Sequence, residues 1–262
     1  MMELWHEKSG SGEPLLLIHG MGSSHKAWQL IVPELSKDFE VINVDLPGHG
    51  NSKLPGGTRM DPASLARLLL EQMSEWGYEK FHVVGNSLGG WASLEMAAAS
   101  PDQIHSVTAL APAGLWLVPE TKRETLGAVS RYMATTTKPL VPQLLKYRWA
   151  KKIGFGMVSP QWESLPLQLC IDAAMAMGSS SGYFPAWDAM LGLRFDKDIR
   201  EDIPVTIIFG DSDNTLPAQY SQERSLTPSH SRWVLLPQSG HAPMWDSAPE
   251  VIAEIRQTAQ AS

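Results

Sequence analysis

Ser87 lies between two glycines in Gly85-Asn86-Ser87-Leu88-Gly89, after the apolar run Phe81-His82-Val83-Val84 and before a helix-like stretch from Leu88 to Ala99. A strand that turns sharply into a helix lifts a serine hydroxyl clear of the backbone, where a carbonyl carbon can reach it. The glycines suit that geometry, because the turn is crowded and side chains two residues either side would clash. A serine hydroxyl is a weak nucleophile at neutral pH and needs a base. Eight histidines compete for that role. His241, in Ser239-Gly240-His241-Ala242-Pro243, follows the last strand-like run and leads into the final helix. His230 precedes that run, at the wrong end. His82 falls inside a strand and reads as a packed core side chain, and His25, His49 and His105 read as surface or loop positions. His241 is the expected base.

The base needs a carboxylate to fix its tautomer and stabilise its cation. The run Val205–Phe209 ends in Gly210-Asp211-Ser212-Asp213-Asn214-Thr215-Leu216-Pro217. Asp211 and Asp213 both leave the sheet on the correct side, and spacing alone does not separate them; one of the two is expected only to cap a turn. An oxyanion needs two backbone N–H groups aimed at one point. Leu88, the residue after Ser87, supplies one. The loop Ile18-His19-Gly20-Met21-Gly22 supplies the other, from Met21, whose thioether would then line the pocket.

These groups must be carried by a frame. Leu15–Ile18, Val41–Val44, Phe81–Val84, Val107–Leu110, Val205–Phe209 and Trp233–Leu236 are short apolar runs bounded by Gly, Pro or Asp. Such runs read as strands buried on both faces of a parallel sheet. Helix-like segments alternate with them, at roughly 25–36, 62–76, 88–99, 217–226 and 247–259. Asp61-Pro62 is a cap followed by proline at the first helical position. The alternation predicts a doubly wound α/β fold with a mostly parallel sheet. Leu4 to His6 reads as a small antiparallel edge, with Ser9-Gly10-Ser11-Gly12 as its turn.

Residues 114–197 break the alternation. They show no strand signal and hold Trp116, Trp149, Trp162 and Trp187 and five methionines. Ten Lys and Arg against six Asp and Glu give this stretch +4, within a chain of −7, so the remainder carries −11. A helical insertion over the C-terminal edge of the sheet is expected, where open α/β sheets bind their ligands. The frame is then 1–113 with 198–262, and 114–197 is the insertion.

With 262 residues, 43% of them hydrophobic, the chain is long enough for one large α/β domain with such an insertion. Cys170 is the single cysteine, so no internal disulfide forms and nothing points to an oxidising compartment. The first eight residues lack the basic lead and apolar core of a signal peptide. No stretch has the length and apolarity of a membrane span. A cytoplasmic protein is expected, and the acidic balance argues against nucleic acid as a partner. No His-Glu-x-x-His, no paired cysteines and no G-x-G-x-x-G after the first strand occur, so neither metal nor cofactor is expected. Oligomeric state is not legible.

His19-Gly20-Met21-Gly22, Asp45-Leu46-Pro47-Gly48-His49-Gly50-Asn51-Ser52, Gly85-Asn86-Ser87-Leu88-Gly89-Gly90, the stretch Gly210 to Pro217, and Gly240-His241 follow one another in this order. The chain resembles the α/β-hydrolase fold family over essentially its full length, in the branch with a serine nucleophile and a helical cap. In that family the acid sits three residues after the strand-end glycine and four before a proline, which implies Asp213. The resemblance implies an esterase-like serine hydrolase: Ser87 attacks, His241 is the base, Asp213 orients it, and Met21 and Leu88 hold the oxyanion. A serine at the elbow speaks against the haloalkane dehalogenase and epoxide hydrolase branches. Ala242 stands where branches that cleave carbon–carbon bonds in ring-fission products often carry an aromatic. The expected substrate is a small to medium apolar ester, a small-molecule partner, with Trp149 and Trp187 as pocket walls. A carbon–carbon bond hydrolase or lactonase on the same residues, and a ligand-binding receptor on the same scaffold, are the rival expectations.

Overall fold

The six apolar runs all become strands, and their order in the sheet sets where every later feature lies. The computed structural model describes residues 3–262. Strands β1 (His6–Ser9), β2 (Glu13–Ile18), β3 (Phe39–Val44), β4 (Phe81–Asn86), β5 (Ile104–Leu110), β6 (Val205–Gly210) and β7 (Arg232–Leu236) form one sheet in the order β1-β3-β2-β4-β5-β6-β7. Only β1 runs antiparallel, against β3 from His6↔Val44 to Ser9↔Val41. All six residues of β4 and of β6 are buried, as central strands covered on both faces must be. Two apolar layers result. One packs Ile18, Val83, Ile207 and Trp91 on one face; the other packs Leu17, Val84, Ile208 and Val251 on the opposite face.

The edge strand begins at His6 rather than Leu4. Leu4 is instead buried, with its N–H donated to Gln72 Oε1 at 2.8 Å. His-Glu-Lys-Ser gives no apolar signal; it pairs along β3 through its backbone, with Asn43 Nδ2 also donating to Glu7 Oε1 at 3.2 Å.

The helices α1 (Val32–Leu35), α2 (Pro62–Glu75) and α3 (Leu88–Ala99) lie between the first strands. The single helix expected over 25–36 is broken into a 3₁₀ turn, His25–Trp28, and the short α1. Pro33 explains the break: its ring would strike the carbonyl of Gln29 in a continuous helix. α2 begins as expected, with the Asp61 carboxylate accepting from Ser64 N–H at 2.9 Å. Between β5 and β6 no strand occurs among the described residues. That stretch folds as α4 (Thr125–Thr137), α5 (Val141–Leu144), α6 (Arg148–Phe155), α7 (Leu167–Ser179) and α8 (Tyr183–Met190). The helix expected over 217–226 is reduced to α9 (Ala218–Ser221) and a 3₁₀ turn, Arg224–Leu226. The chain closes with α10 (Pro243–Asp246) and α11 (Ala248–Gln260).

The β4–α3 turn leaves no room for a side chain at Gly85. A Cβ on Gly85 would lie 2.1 Å from Gly89 O and 2.4 Å from Ser93 Oγ. Gly85→Ala is therefore expected to destabilise the protein by about 1–3 kcal/mol through overpacking. A urea unfolding midpoint equal to that of the unmodified chain would contradict this packing.

Candidate active site

Four loops leave the C-terminal ends of β2, β4, β6 and β7, and they converge. β4 ends in Asn86, and Ser87 follows at φ 55, ψ −116. A non-glycine residue takes up such a backbone only when its surroundings enforce it. Here Ser87 N–H is donated to Leu110 O at 2.9 Å, and Ser87 O accepts from Ala113 N–H and Trp91 N–H, each at 3.0 Å. The side chain is thus held out of the turn. Among the described residues its hydroxyl makes no hydrogen bond, so it is free to rotate.

β6 delivers Asp213 and β7 delivers His241. Asp213 Oδ2 lies 2.9 Å from His241 Nδ1, and both side chains are largely buried. Asp213 Oδ1 accepts from Thr215 N–H at 2.9 Å and Leu216 N–H at 2.8 Å. Burial alone would raise the Asp213 carboxyl. The His241 charge and hydrogen bond, with the two N–H donors, outweigh that and hold it below the usual carboxylate range. An ionised Asp213 requires Nδ1 of His241 to carry a proton, which leaves Nε2 as the free base position. Asp211, which spacing alone could not separate from Asp213, is exposed and accepts only from Ser212 Oγ.

The β2 loop passes directly over Ser87: a Cβ on Gly20 would come within 3.0 Å of Ser87 Cβ. His19 fixes this loop. Its Nδ1–H is donated to Gly20 O at 2.8 Å, and its Nε2 accepts from Leu46 N–H at 3.0 Å. Complete burial keeps this imidazole below its ordinary pKa and hence neutral. Met21 N–H and Leu88 N–H donate to no described acceptor. Leu88 opens α3, whose first N–H groups have no partner within the helix.

The other histidines stand apart. His82 is buried between Ser106 Oγ and Glu13, and His230 meets Ile203 O. His49, read as a surface or loop residue, lies on a loop but is fully buried, which pushes its imidazole down to about 3.

Two supports went unrecognised in the sequence. Asn86 Nδ2 donates to Leu110 O at 3.1 Å and to His241 O at 3.0 Å, tying the end of β4 to the His241 loop. A polar residue closing a fully buried strand was the available signal. Asp246 accepts from Gly240 N–H at 2.8 Å and from Ser159 Oγ. Burial pushes its carboxyl up, with these donors opposing. His241 N–H is donated to Val158 O at 2.8 Å, and Gln161 bonds Asp246 O and Gln238 O. The stretch after α6 therefore holds the His241 loop in place, a contact spanning some eighty residues that no local pattern announces.

Ser87, Met21 and His241 all face one cavity of about 510 Å³. Its far walls come from α4, α6 and α7, through residues such as Met133, Trp149, Ile153, Ala174 and Met177, and among the described residues no Asp, Glu, Lys or Arg lines it. Trp149 does line this space. Trp187 does not: it is buried in α8 against Gly127 and the Tyr183 ring, whose centroid is 5.6 Å away. Residue spacing had no means of telling which tryptophan turns inward. A hydroxyl and an oriented imidazole thus open onto an apolar space, and the N–H groups of Met21 and Leu88 meet no described acceptor.

Comparison with known proteins gives the same direction. The chain is 27% identical over 258 residues to a pimeloyl-[acyl-carrier protein] methyl ester esterase of Aeromonas hydrophila, covering 95% of this chain and 96% of that one. Among solved structures, a thermophilic esterase from Thermogutta terrifontis superposes with a TM-score of 0.75 at 19% identity, over 99% of this chain and 93% of its own. The enol-lactonase from Burkholderia xenovorans LB400 superposes with a TM-score of 0.76 at 20% identity, over 98% and 96%. These two likenesses concern the fold. Residues 13–248 match the family described as the alpha/beta hydrolase fold, and the chain belongs to that family.

Proposed function

We propose that the protein is a serine hydrolase that cleaves carboxylic esters with an apolar acyl portion. One observation carries this reading: Ser87 and the Asp213-held His241 open onto the same apolar cavity. In the proposed reaction Ser87 Oγ attacks the ester carbonyl while His241 Nε2 takes its proton. The carbonyl oxygen gains the negative charge and is held by the N–H groups of Met21 and Leu88. Collapse of the tetrahedral adduct breaks the carbon–oxygen bond, and His241 returns its proton to the departing alkoxide. Water, deprotonated by the same imidazole, then releases the acid and restores Ser87. Asp213 stays ionised throughout and stabilises the imidazolium. The family and the full-length likeness to an ester-cleaving relative support the reaction class.

We read residues 114–197 as a cap on a frame of 1–113 and 198–262. The cap's helices wall the space in which the acyl chain would lie, and this exclusion of water strengthens every polar contact beneath it.

Ser87→Ala is expected to fold normally and to lose ester turnover by about 10⁴-fold or more. It should also escape labelling by a fluorophosphonate that modifies the unmodified protein stoichiometrically. Retention of more than a small fraction of kcat, or unchanged labelling, would remove Ser87 from its role. Asp213→Asn is expected to lower kcat/KM by about 10⁴-fold through the wrong imidazole tautomer, with Asp211→Asn nearly neutral. Equal losses would overturn the assignment. A panel of esters, lactones and ring-fission diketones assayed side by side separates ester cleavage from the rival reactions.

The two tryptophans should now differ. Trp149→Ala enlarges the cavity and should shift preference toward bulkier acyl groups, with acetate esters nearly unchanged. Trp187→Ala removes a buried ring and should cost about 3–5 kcal/mol of stability with little change in acyl preference. Acyl-length profiles and thermal unfolding of both variants decide this.

A further inference from the structure

The stretch from Thr125 to Trp162, which builds α4, α5 and α6, contains Arg131, Lys138, Lys146, Arg148, Lys151 and Lys152 and not one Asp or Glu. It also carries nine of the fifteen exposed large apolar side chains among the described residues. Val129, Tyr132, Leu140, Tyr147, Trp149 and Ile153 are 47–70% exposed. Single exposed apolar residues are ordinary, but a concentration of this size on one part of a surface marks an interaction site. The cations are only partly spoken for. Arg148 pairs with Glu163, and Lys151 donates to the carbonyls of Glu163 and Leu165. Lys138, Lys146 and Lys152 have no ion-pair partner among the described residues.

The same helices wall the cavity. Met133, Trp149 and Ile153 are exposed and also line the cavity, so the apolar wall reaches the surface there. Trp149 and Ile153 lie four residues apart on one face of α6, beside Arg148 and Lys152. An apolar face with aromatic residues, flanked by lysine and arginine, is the pattern of a helix that lies in the interfacial plane of a membrane.

We infer that this face docks onto an anionic phospholipid surface. The cations match the negative headgroups. The exposed apolar side chains enter the boundary between headgroups and acyl chains, where tyrosine and tryptophan are favoured. An acidic protein partner would answer the charge, but tyrosines and a tryptophan set beside lysines and an arginine match the headgroup boundary. With a bilayer against the patch, the apolar wall runs without interruption from the acyl region to Ser87. The inference concerns binding and does not rest on the proposed reaction.

Flotation of the full chain with phosphatidylcholine vesicles, with and without phosphatidylglycerol, tests it. Binding should require phosphatidylglycerol and weaken as salt is raised. Lys146→Glu with Lys152→Glu should weaken it by at least about tenfold, since each cation near such a surface contributes measurably. Leu140→Ser with Tyr147→Ser, neither of which lines the cavity, should weaken it at unchanged charge. Ser87→Ala should bind like the unmodified protein, so a failed catalytic assignment leaves this result standing. Absence of vesicle binding would overturn the inference, as would equal binding to neutral vesicles or indifference to both variant pairs. Self-association through this face, or binding to an acidic carrier protein without vesicle binding, would overturn it in favour of a protein partner.

Discussion

Ser87 is held at φ 55, and most of the surrounding structure exists to make that conformation tenable. A non-glycine residue in such a region costs of order 1–3 kcal/mol. Three backbone hydrogen bonds secure it, and one of them reaches the next strand at Leu110. Immediately beyond, Ala111 also has a positive φ, of 41, and donates to Ile208 O at 2.7 Å. The ends of β4, β5 and β6 are thus laced together around the strained turn. The core is what tolerates this. With α3 buried along nearly its whole length and β4 buried throughout, the turn cannot relax without opening a packed interior.

The rest of the site follows from that fixed point. A hydroxyl in a rigid position is useful only if its partners are equally fixed, and each is anchored by buried hydrogen bonds rather than by exposed ion pairs. Asp213 spends one oxygen on two backbone N–H groups and the other on His241. The His241 loop is held from three sides, by Asn86 from the strand, by Asp246 from its own continuation and by Val158 from the far end of α6. Movement of the inserted helices and placement of the imidazole are mechanically coupled through the last of these. The apolar cavity lowers the local dielectric, which strengthens the Asp213–His241 interaction relative to its value in water.

How much of this could be read in advance depended on whether a feature was local. The six apolar strands, α2 with its Asp61 cap, and α3 are short-range patterns, and each appears where the residues place it, although β7 at the sheet edge is only partly buried. The elbow was legible because strand, glycines and helix adjoin in a single stretch. Pro33 was visible too, yet the helical pattern around it suggested one helix where two pieces form. Asp213 and Asp211 differ by which of them meets a loop 28 residues away, a fact of tertiary packing. The hold on His241 by Val158 and Gln161 lies further still from local pattern. Within the inserted helices an apolar face can look into the cavity, onto the core or out to solvent, so nothing in the spacing marked Trp149 as a cavity residue and Trp187 as packed.

The cavity itself is a consequence of building its walls from helices. A helix satisfies its own backbone groups, so it can present a surface with no N–H or C=O seeking a partner. α4 does this with Ser130, Met133, Ala134 and Thr137, which fall at i, i+3, i+4 and i+7 on one face. α6 and α7 answer with Ala150, Gly154, Ala173 and Ala174 among their larger residues. Small side chains set the space and large ones bound it, since a close-packed interior leaves no void unless side-chain volume is withheld. Loops in the same position would bring polar backbone to the cavity surface and fill it with ordered water. Polar residues line the space from both sides, Ser130, Thr137 and Tyr183 from the inserted helices and Ser87, Thr215 and His241 from the loops that leave the sheet. In the proposed reaction the ester carbonyl is drawn to Ser87, near which the N–H groups of Met21 and Leu88 meet no described acceptor, and the apolar portion lies against Met133, Ile153 and Met177.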